Sequence, residues 1–295
     1  WSTGTYGSKR NILVLWDHGG ESADKICFDE NFDYDSLDRS ELADAFKDAK
    51  LPFTFDILVF DACFMSTLEN AALASDYARY MVASQEVVPS GGIDYGALAK
   101  DFTTHENKDL GVSICDSYLK KCQEKGKADT AELSLLDLSK TKDMTQAVND
   151  LSKQLIATQG GKGGTFKLAN ATKYSAIYGA KNISSLYDLQ GFVDAAALFD
   201  DEPDTQRVTE KFGEFVIHKV VGNKTQSAGV SLYYPFNYDR QEFQDYTKTC
   251  PMESYAELLK SRYDNLPAQM ISFDDKGSIT EGGDFKVALS EKSGQ

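Results

Sequence analysis

Two residues of this chain could carry out nucleophilic chemistry together. Cys63 follows the apolar run Asp56 to Asp61, D-I-L-V-F-D, and His18 follows Asn11 to Trp16, N-I-L-V-L-W. A thiol becomes a strong nucleophile when it gives up its proton, and an imidazole takes and returns protons near neutral pH. Gly19 follows the histidine directly. Its bare backbone N–H, with that of Cys63, could form an oxyanion hole. Ser66 and Glu69 read as an S-x-x-E capping box that starts a helix at Thr67 and carries it to about Ala74. Cys63 would then precede a helix N-terminus, where free N–H groups and the helix dipole favour a thiolate, and a protonated His18 would favour it further. The competing reading is an inert core cysteine and a satisfied loop histidine.

Several carboxylates accompany the pair. Asp61 ends the strand that leads to Cys63, and a carboxylate there could pair with a guanidinium or ammonium group. Asp94 could be a second carboxylate of the same kind. Asp17 could orient His18, although adjacent residues rarely face each other that way. Asp29, Glu30, Asp33, Asp35 and Asp38 could take calcium, but they lack the EF-hand spacing and its glycine, so a solvated acidic loop is the plainer reading. His105, in a polar stretch, and His218, on an expected helix, read as structural or exposed. Gly160 to Thr165, G-G-K-G-G-T, lacks the G-K-[ST] ending of a phosphate loop and follows a helix rather than a strand.

Stepping from these residues to their supports, His18 and Cys63 each stand at the end of a short apolar run that reads as a buried strand. The 45 residues from 18 to 63 accommodate a loop, a crossover helix and a strand. Ligands in open α/β sheets bind outside the carboxyl ends of the strands, so both side chains should emerge at one such end. Between them, residues 21–38 read as irregular and acidic, and Asp38 with Glu41 caps a helix through about Lys50. Tyr80 to Ser84 is a third strand. The order strand, helix, strand, helix, strand implies parallel pairing with right-handed crossovers. Further on, Asp109 to Glu124 and Asp143 to Ala157 read as helices, Glu132 to Leu138 as a strand, and Arg207 to Val221 as one amphipathic helix. Gly229 to Tyr234 is a strand, Ser254 and Glu257 cap a last helix ended by Pro267, and alternation from Met270 onward begins a β module.

Composition narrows the class. The 295 residues are 41% hydrophobic and 26% charged, which suits a folded core. A net charge of −15 argues against nucleic acid, while it would attract cationic peptides or simply keep the chain soluble. No apolar run approaches the roughly 20 residues of a membrane span. The chain begins at Trp1 and shows no signal segment, so it reads as a mature form or a fragment. Among five cysteines no C-x-x-C pair exists, and Cys115 and Cys122 lie about 10 Å apart along one helix, too far for a disulfide.

The sequence resembles the clostripain family, within the caspase–gingipain–legumain group of cysteine peptidases. The blocks I-L-V-L-W-D-H-G at 12–19 and D-I-L-V-F-D-A-C at 56–63 carry the resemblance. Weaker matches lie at 83–95, 133–139, 185–189 and 229–235. Many relatives carry Trp where this chain has Gly20-Glu21-Ser22 and Ile93. The resemblance implies a caspase-like αβα sandwich with a mostly parallel central sheet, over residues 1–268, with 269–295 the start of a C-terminal β segment. It also implies a Cys63/His18 dyad without a required cofactor, cleavage after Arg or Lys, Asp61 as the pocket aspartate, and a secreted or periplasmic bacterial setting. Processing between the His and Cys blocks occurs in the family, and Lys25 is the basic residue in that interval, before Arg39 in the capped helix. Self-cleavage after Lys25 is therefore expected. The alternative is a catalytically silent relative that binds peptide or protein in the same cleft.

Overall fold

The computed structural model describes residues 7–20, 25–158, 185–198, 204–223, 227–235 and 240–264, with positions 5, 176, 178, 272–273 and 279–280. Five strands form the central sheet: β1 (Ile12–Trp16), β4 (Phe55–Asp61), β5 (Ala78–Ala83), β6 (Glu132–Asp137) and β8 (Val216–Val221), side by side in that order. β1, β4 and β5 pair in parallel, and β6 is antiparallel to both β5 and β8. Four of the five strands thus point the same way.

Both faces of the sheet are covered, because alternate side chains of each strand point to opposite faces. Leu58 and Phe60 of β4 and Met81 and Ala83 of β5 face one core, with α2 (Leu68–Ala74), α5 (Thr141–Thr158), α6 (Leu189–Ala196) and α9 (Glu253–Asp264). Ile57, Val59 and Val82 face the other, against Leu110, Ile114, Cys115, Tyr118 and Cys122 of α4 (Asn107–Glu124). Cys115 and Cys122 are free, buried thiols. The capping box at Asp38 forms as expected: its side chain accepts the Glu41 N–H while Glu41 reaches back, starting α1 (Arg39–Ala49).

Four sequence expectations need correction. Residues 21–38 are not irregular throughout: β2 (Ile26–Asp29) and β3 (Asp35–Leu37) form an antiparallel hairpin. Arg207 to Val221 is not one helix. It is α7 (Thr205–Phe215) followed directly by β8, where the β-branched run V-I-H-K-V-V prefers a strand. The Ser66/Glu69 box does not form. Thr67 is the cap of α2, Ser66 Oγ donates to Gly229 O at 2.6 Å, and buried Glu69 accepts from Tyr233 N and Tyr246 OH. Ser254 lies inside α9, and its N–H donates to Asn149 Oδ1 at 2.7 Å from a neighbouring helix. The strand at Ser231–Tyr233 (β9) pairs with β7 (Leu186–Asp188) in a separate two-stranded sheet.

Two short strands, β10 (Ser272–Phe273) and β11 (Ile279–Thr280), pair antiparallel beyond α9. The remaining elements are α3 (Tyr95–Asp101) and α8 (Arg240–Thr249). Gly160 to Thr165 and Pro267 lie outside the described residues. Among the described residues no helix is long and apolar enough to cross a membrane.

Candidate active site

β1 and β4 run in register from Ile12↔Ile57 to Trp16↔Asp61. His18 and Cys63 therefore each lie two residues beyond a paired position, at the same end of the sheet. They line one cleft of about 590 Å³ with Trp16, Asp17, Asp61 and Val88, among others. The backbones meet as well: a Cβ built on Gly19 would lie 1.9 Å from Cys63 O, so only glycine permits this approach.

The thiol of Cys63 has defined partners. Sγ accepts the Val88 N–H at 3.3 Å and can donate to Val88 O at 3.8 Å. Burial pushes the thiol up. The N–H groups of Val88, Gly19 and Cys63 itself pull it back down, and the Glu86 carboxylate adds to the rise. The expected help from a helix N-terminus is weak, because α2 starts only at Leu68 and the Thr67 side chain already caps Asn70 N. The Gly19 and Cys63 N–H groups, the two expected for an oxyanion hole, lie on backbones in close contact. Phe64, the next residue, has φ 63°, and its N–H donates to Glu86 O at 3.3 Å. A non-glycine residue in this left-handed region costs about 1–2 kcal/mol, so the surroundings must hold it there.

His18 is exposed, and its backbone N–H donates to Asp17 Oδ1 at 2.5 Å. Asp17 thus orients the backbone rather than the ring. No hydrogen bond joins the imidazole to Cys63 among the described residues. A dyad often tightens only when substrate is present.

Asp61 is only 2% exposed and lines the cleft floor. It accepts Ile93 N at 3.1 Å and Tyr95 OH at 2.7 Å, and burial, that bond and the Asp61 charge hold the Tyr95 phenol high. Gly92, at φ 56°, presses against the carboxylate: a Cβ there would lie 2.3 Å from Oδ2. Lys121 Nζ on α4 pins this loop by donating to Gly91 O, Gly92 O and Ile93 O at 2.6, 3.1 and 2.7 Å. Asp94 stands elsewhere. It caps α3, its Oδ1 accepting Gly96 N and Ala97 N at 3.0 Å each, and it does not line the cleft.

Lys25 is exposed at the start of the hairpin. Its carbonyl accepts Gly20 N at 2.9 Å, Gly19 bridges Ile26, and Cys27 N donates to His18 O at 3.1 Å. The hairpin is thereby stitched to the His18 segment and brings Cys27, Phe28, Asp29 and Glu30 to the cleft wall. The acidic residues considered for calcium are spread out. Asp29 accepts Asn31 N, Asp35 accepts Ser36 N, and Asp38 caps α1. Among the described residues no three His, Cys, Asp or Glu side chains gather as a metal site. His105 shares a hydrogen bond with Thr104, and His218 lies 2.8 Å from Asp116, on the strand β8 rather than a helix.

A family model for peptidase C11, the clostripain family, matches residues 2–265. This chain belongs to the clostripain family. It is 25% identical over 194 residues to clostripain of Hathewaya histolytica, covering 51% of this chain but only 36% of that protein. The chain thus spans about a third of the curated relative it matches. Its fold is similar to an inactive zymogen C11 protease from Parabacteroides distasonis, at TM-score 0.67 and 18% identity over 87% of this chain and 72% of that one. It is also similar to a secreted C11 cysteine protease from Bacteroides thetaiotaomicron bound to an irreversible peptide inhibitor, at TM-score 0.64 and 17% identity over 87% and 74%. The caspase-like α/β fold is common to this chain and those two structures.

Sequence reasoning missed three contributors to the site: Val88, Lys121 and the hairpin. The apolar pair Val87-Val88 in a loop directly after a strand is a usable signal, since exposed apolar loop residues often border a cleft. Nothing local to Lys121 announces its role.

Proposed function

We propose that this chain is a cysteine endopeptidase that cuts after Arg or Lys. The supporting observation is the shared register of β1 and β4, which sets His18 and Cys63 at one end of the sheet and brings the backbone N–H groups of Gly19 and Cys63 close together. Cys63 attacks the scissile carbonyl, and the oxyanion sits on those two N–H groups. His18 protonates the leaving amine and then activates water to release the acyl-enzyme. No cofactor enters these steps. Asp61 receives the basic side chain: each of its oxygens has one partner and can accept a second hydrogen bond. Asp94 contributes to this pocket only if its free oxygen turns from the α3 cap.

Self-processing after Lys25 belongs to the same proposal. The carbonyl at the cut is bonded to Gly20 and Ile26 is buried, so cleavage has to follow unzipping of the hairpin from the His18 segment. Peptidase action by residues 1–268, a C-terminal β segment from 269, and a secreted or cell-surface bacterial setting complete the reading. The second reading is a catalytically silent relative that binds peptide or protein in the same cleft. Hydrolysis rates on peptides differing only before the cleaved bond separate the two. Selective turnover of Arg or Lys peptides that vanishes in Cys63→Ala supports the peptidase; peptide binding without turnover supports the silent relative.

A further inference from the structure

The segment Ser84 to Val88, after β5, touches the nucleophile's turn at three points. Ser66 N donates to Ser84 O at 2.8 Å, Phe64 N to Glu86 O at 3.3 Å, and Val88 N to Cys63 Sγ at 3.3 Å. What holds this segment is a carboxylate from another strand. Glu132 opens β6 and is 1% exposed. Its Oε2 accepts Gln85 N at 2.5 Å and Ser84 Oγ at 3.1 Å, and its Oε1 accepts Ser134 Oγ at 2.5 Å. The Gln85 side chain locks the same segment from the other side. It accepts from Ser227 Oγ and Gly229 N, and donates to Asp188 Oδ2 and Ser231 Oγ, so all four of its hydrogen-bonding sites are used.

The Ser84 hydroxyl has one proton and two acceptors in reach, Glu132 Oε2 at 3.1 Å and Glu86 O at 3.0 Å. With Glu132 ionised, that proton goes to the carboxylate, and the Ser84 hydroxyl does not compete with the Phe64 N–H for Glu86 O. With Glu132 protonated, the carboxyl donates instead, and the Ser84 proton turns to Glu86 O in competition with Phe64. Charge-assisted bonds are also the stronger ones, so Gln85 N is held more firmly by the ionised form.

We propose that Glu132 is a positioning residue for Cys63, whose ionisation fixes the Ser84–Val88 segment and, through it, the strained turn that carries the nucleophile. Burial pushes this carboxyl up to about 7, against the pull of its three donors and of Lys219, so the change falls in a working pH range. Lys219 on β8 is the cation facing it, with its own Nζ donating to Ser227 O. Cys115 and Tyr118 on α4 and Tyr178 feel its charge, and Asp188 at the end of β7 reaches it through Gln85. The functional consequence rests on Cys63 being the nucleophile, as proposed above.

The test measures iodoacetamide alkylation of Cys63, mapped by mass spectrometry, from pH 5.5 to 9, beside hydrolysis of a basic peptide. In Glu132→Gln, Cys63 should react about five- to tenfold more slowly than wild type at pH 8, as expected for weakening a hydrogen bond to a charged acceptor, and equally at pH 6. Ser84→Ala keeps the carboxylate and its hold on Gln85 N but removes the hydroxyl that donates to Glu132 and accepts the Glu86 N–H, and should show a smaller loss than Glu132→Gln at pH 8. It carries the test if Glu132→Gln fails to fold. Equal rates at both pH values, or faster alkylation in Glu132→Gln at pH 8 from simple loss of charge, overturn the positioning role. Wild type that is alkylated with this pH dependence but hydrolyses no peptide would sink the peptidase proposal and leave this one standing.

Discussion

Cys63 leaves β4, an interior strand paired with β1 on one side and β5 on the other. His18 leaves β1, which among the described residues pairs with β4 alone. Around the cysteine, the Phe64 and Ser66 N–H groups are tied to the Ser84–Val88 segment, which the Glu132–Gln85 network holds from behind. Around the histidine, the ring is exposed, and the adjoining wall is a short hairpin stitched on by a few backbone bonds. The atom that forms a covalent bond must sit within a fraction of an ångström of its target, whereas a proton carrier must visit both the thiol and the leaving group. The two sides differ in the way those two tasks differ.

Substituting the two dyad members probes this contrast most strongly. Cys63→Ala and His18→Ala should each abolish peptide turnover. Thermal unfolding of His18→Ala should match wild type, since the ring has no bonded partner among the described residues. A large drop in its Tm would show that the histidine side is as tightly built as the cysteine side.

Gly19→Ala attacks the point where the two sides touch. The new Cβ collides with the Cys63 carbonyl, so overpacking should cost about 1–3 kcal/mol of stability. Displacing an oxyanion donor should lower kcat about a hundredfold or more. Normal kcat with normal Tm would mean that the chain can part here without consequence.

The cysteine side should also be the pH-sensitive one in stability. Because the Glu132 carboxyl is raised in the fold, its contribution is full below the ordinary carboxylate range and is lost as pH rises through about 7. The loss is on the order of 2–3 kcal/mol, and Glu132→Gln should flatten it in denaturant titrations at pH 5 and 8. The ionised form therefore burdens the fold as a whole while it steadies the turn beside it. A parallel pH slope in the variant would assign the effect to another group.

Asp61→Asn should slow Arg and Lys substrates by roughly ten- to a hundredfold, the equivalent of about 1.5–3 kcal/mol, and neutral ones far less. An equal fall on both would make Asp61 a support for Ile93 and Tyr95 only. The smallest effect belongs to Lys25→Ala on the loosely stitched side. Small-peptide turnover should stay within about twofold of wild type, because an exposed side chain away from buried contacts rarely matters to the fold. Intact mass over time should show the wild-type fragment ending at Lys25 absent from this variant.

The central strands were legible because each combines an unbroken apolar run with a defined end, and the Asp38 cap because both its members are local. The hairpin was not. Its strands are four and three residues long, and Cys27 at φ 61° breaks the alternation that a pattern would need. The helix-to-strand switch at Val216 was hidden because Val208, Phe212, Phe215, Val216 and Val220 continue a helical stripe by spacing alone. At Ser66 and Glu69 a local capping pattern lost to partners more than 160 positions away, Gly229, Tyr233 and Tyr246. That His18 and Cys63 meet at one end of the sheet followed from the strand ends, but the place of Glu132 could not, since it depends on Gln85, 47 positions away.

Trp16, the last residue of β1, stands at the mouth of the cleft with 69% of its surface open to water. The chain has two tryptophans, Trp1 and Trp16. In a Trp1→Phe background the indole of Trp16 becomes the sole such fluorophore, and its emission colour reads the polarity around it. A peptide lying across the cleft would strip water from that ring and move the emission to the blue, so occupancy could be followed by light in a Cys63→Ala protein that cuts nothing.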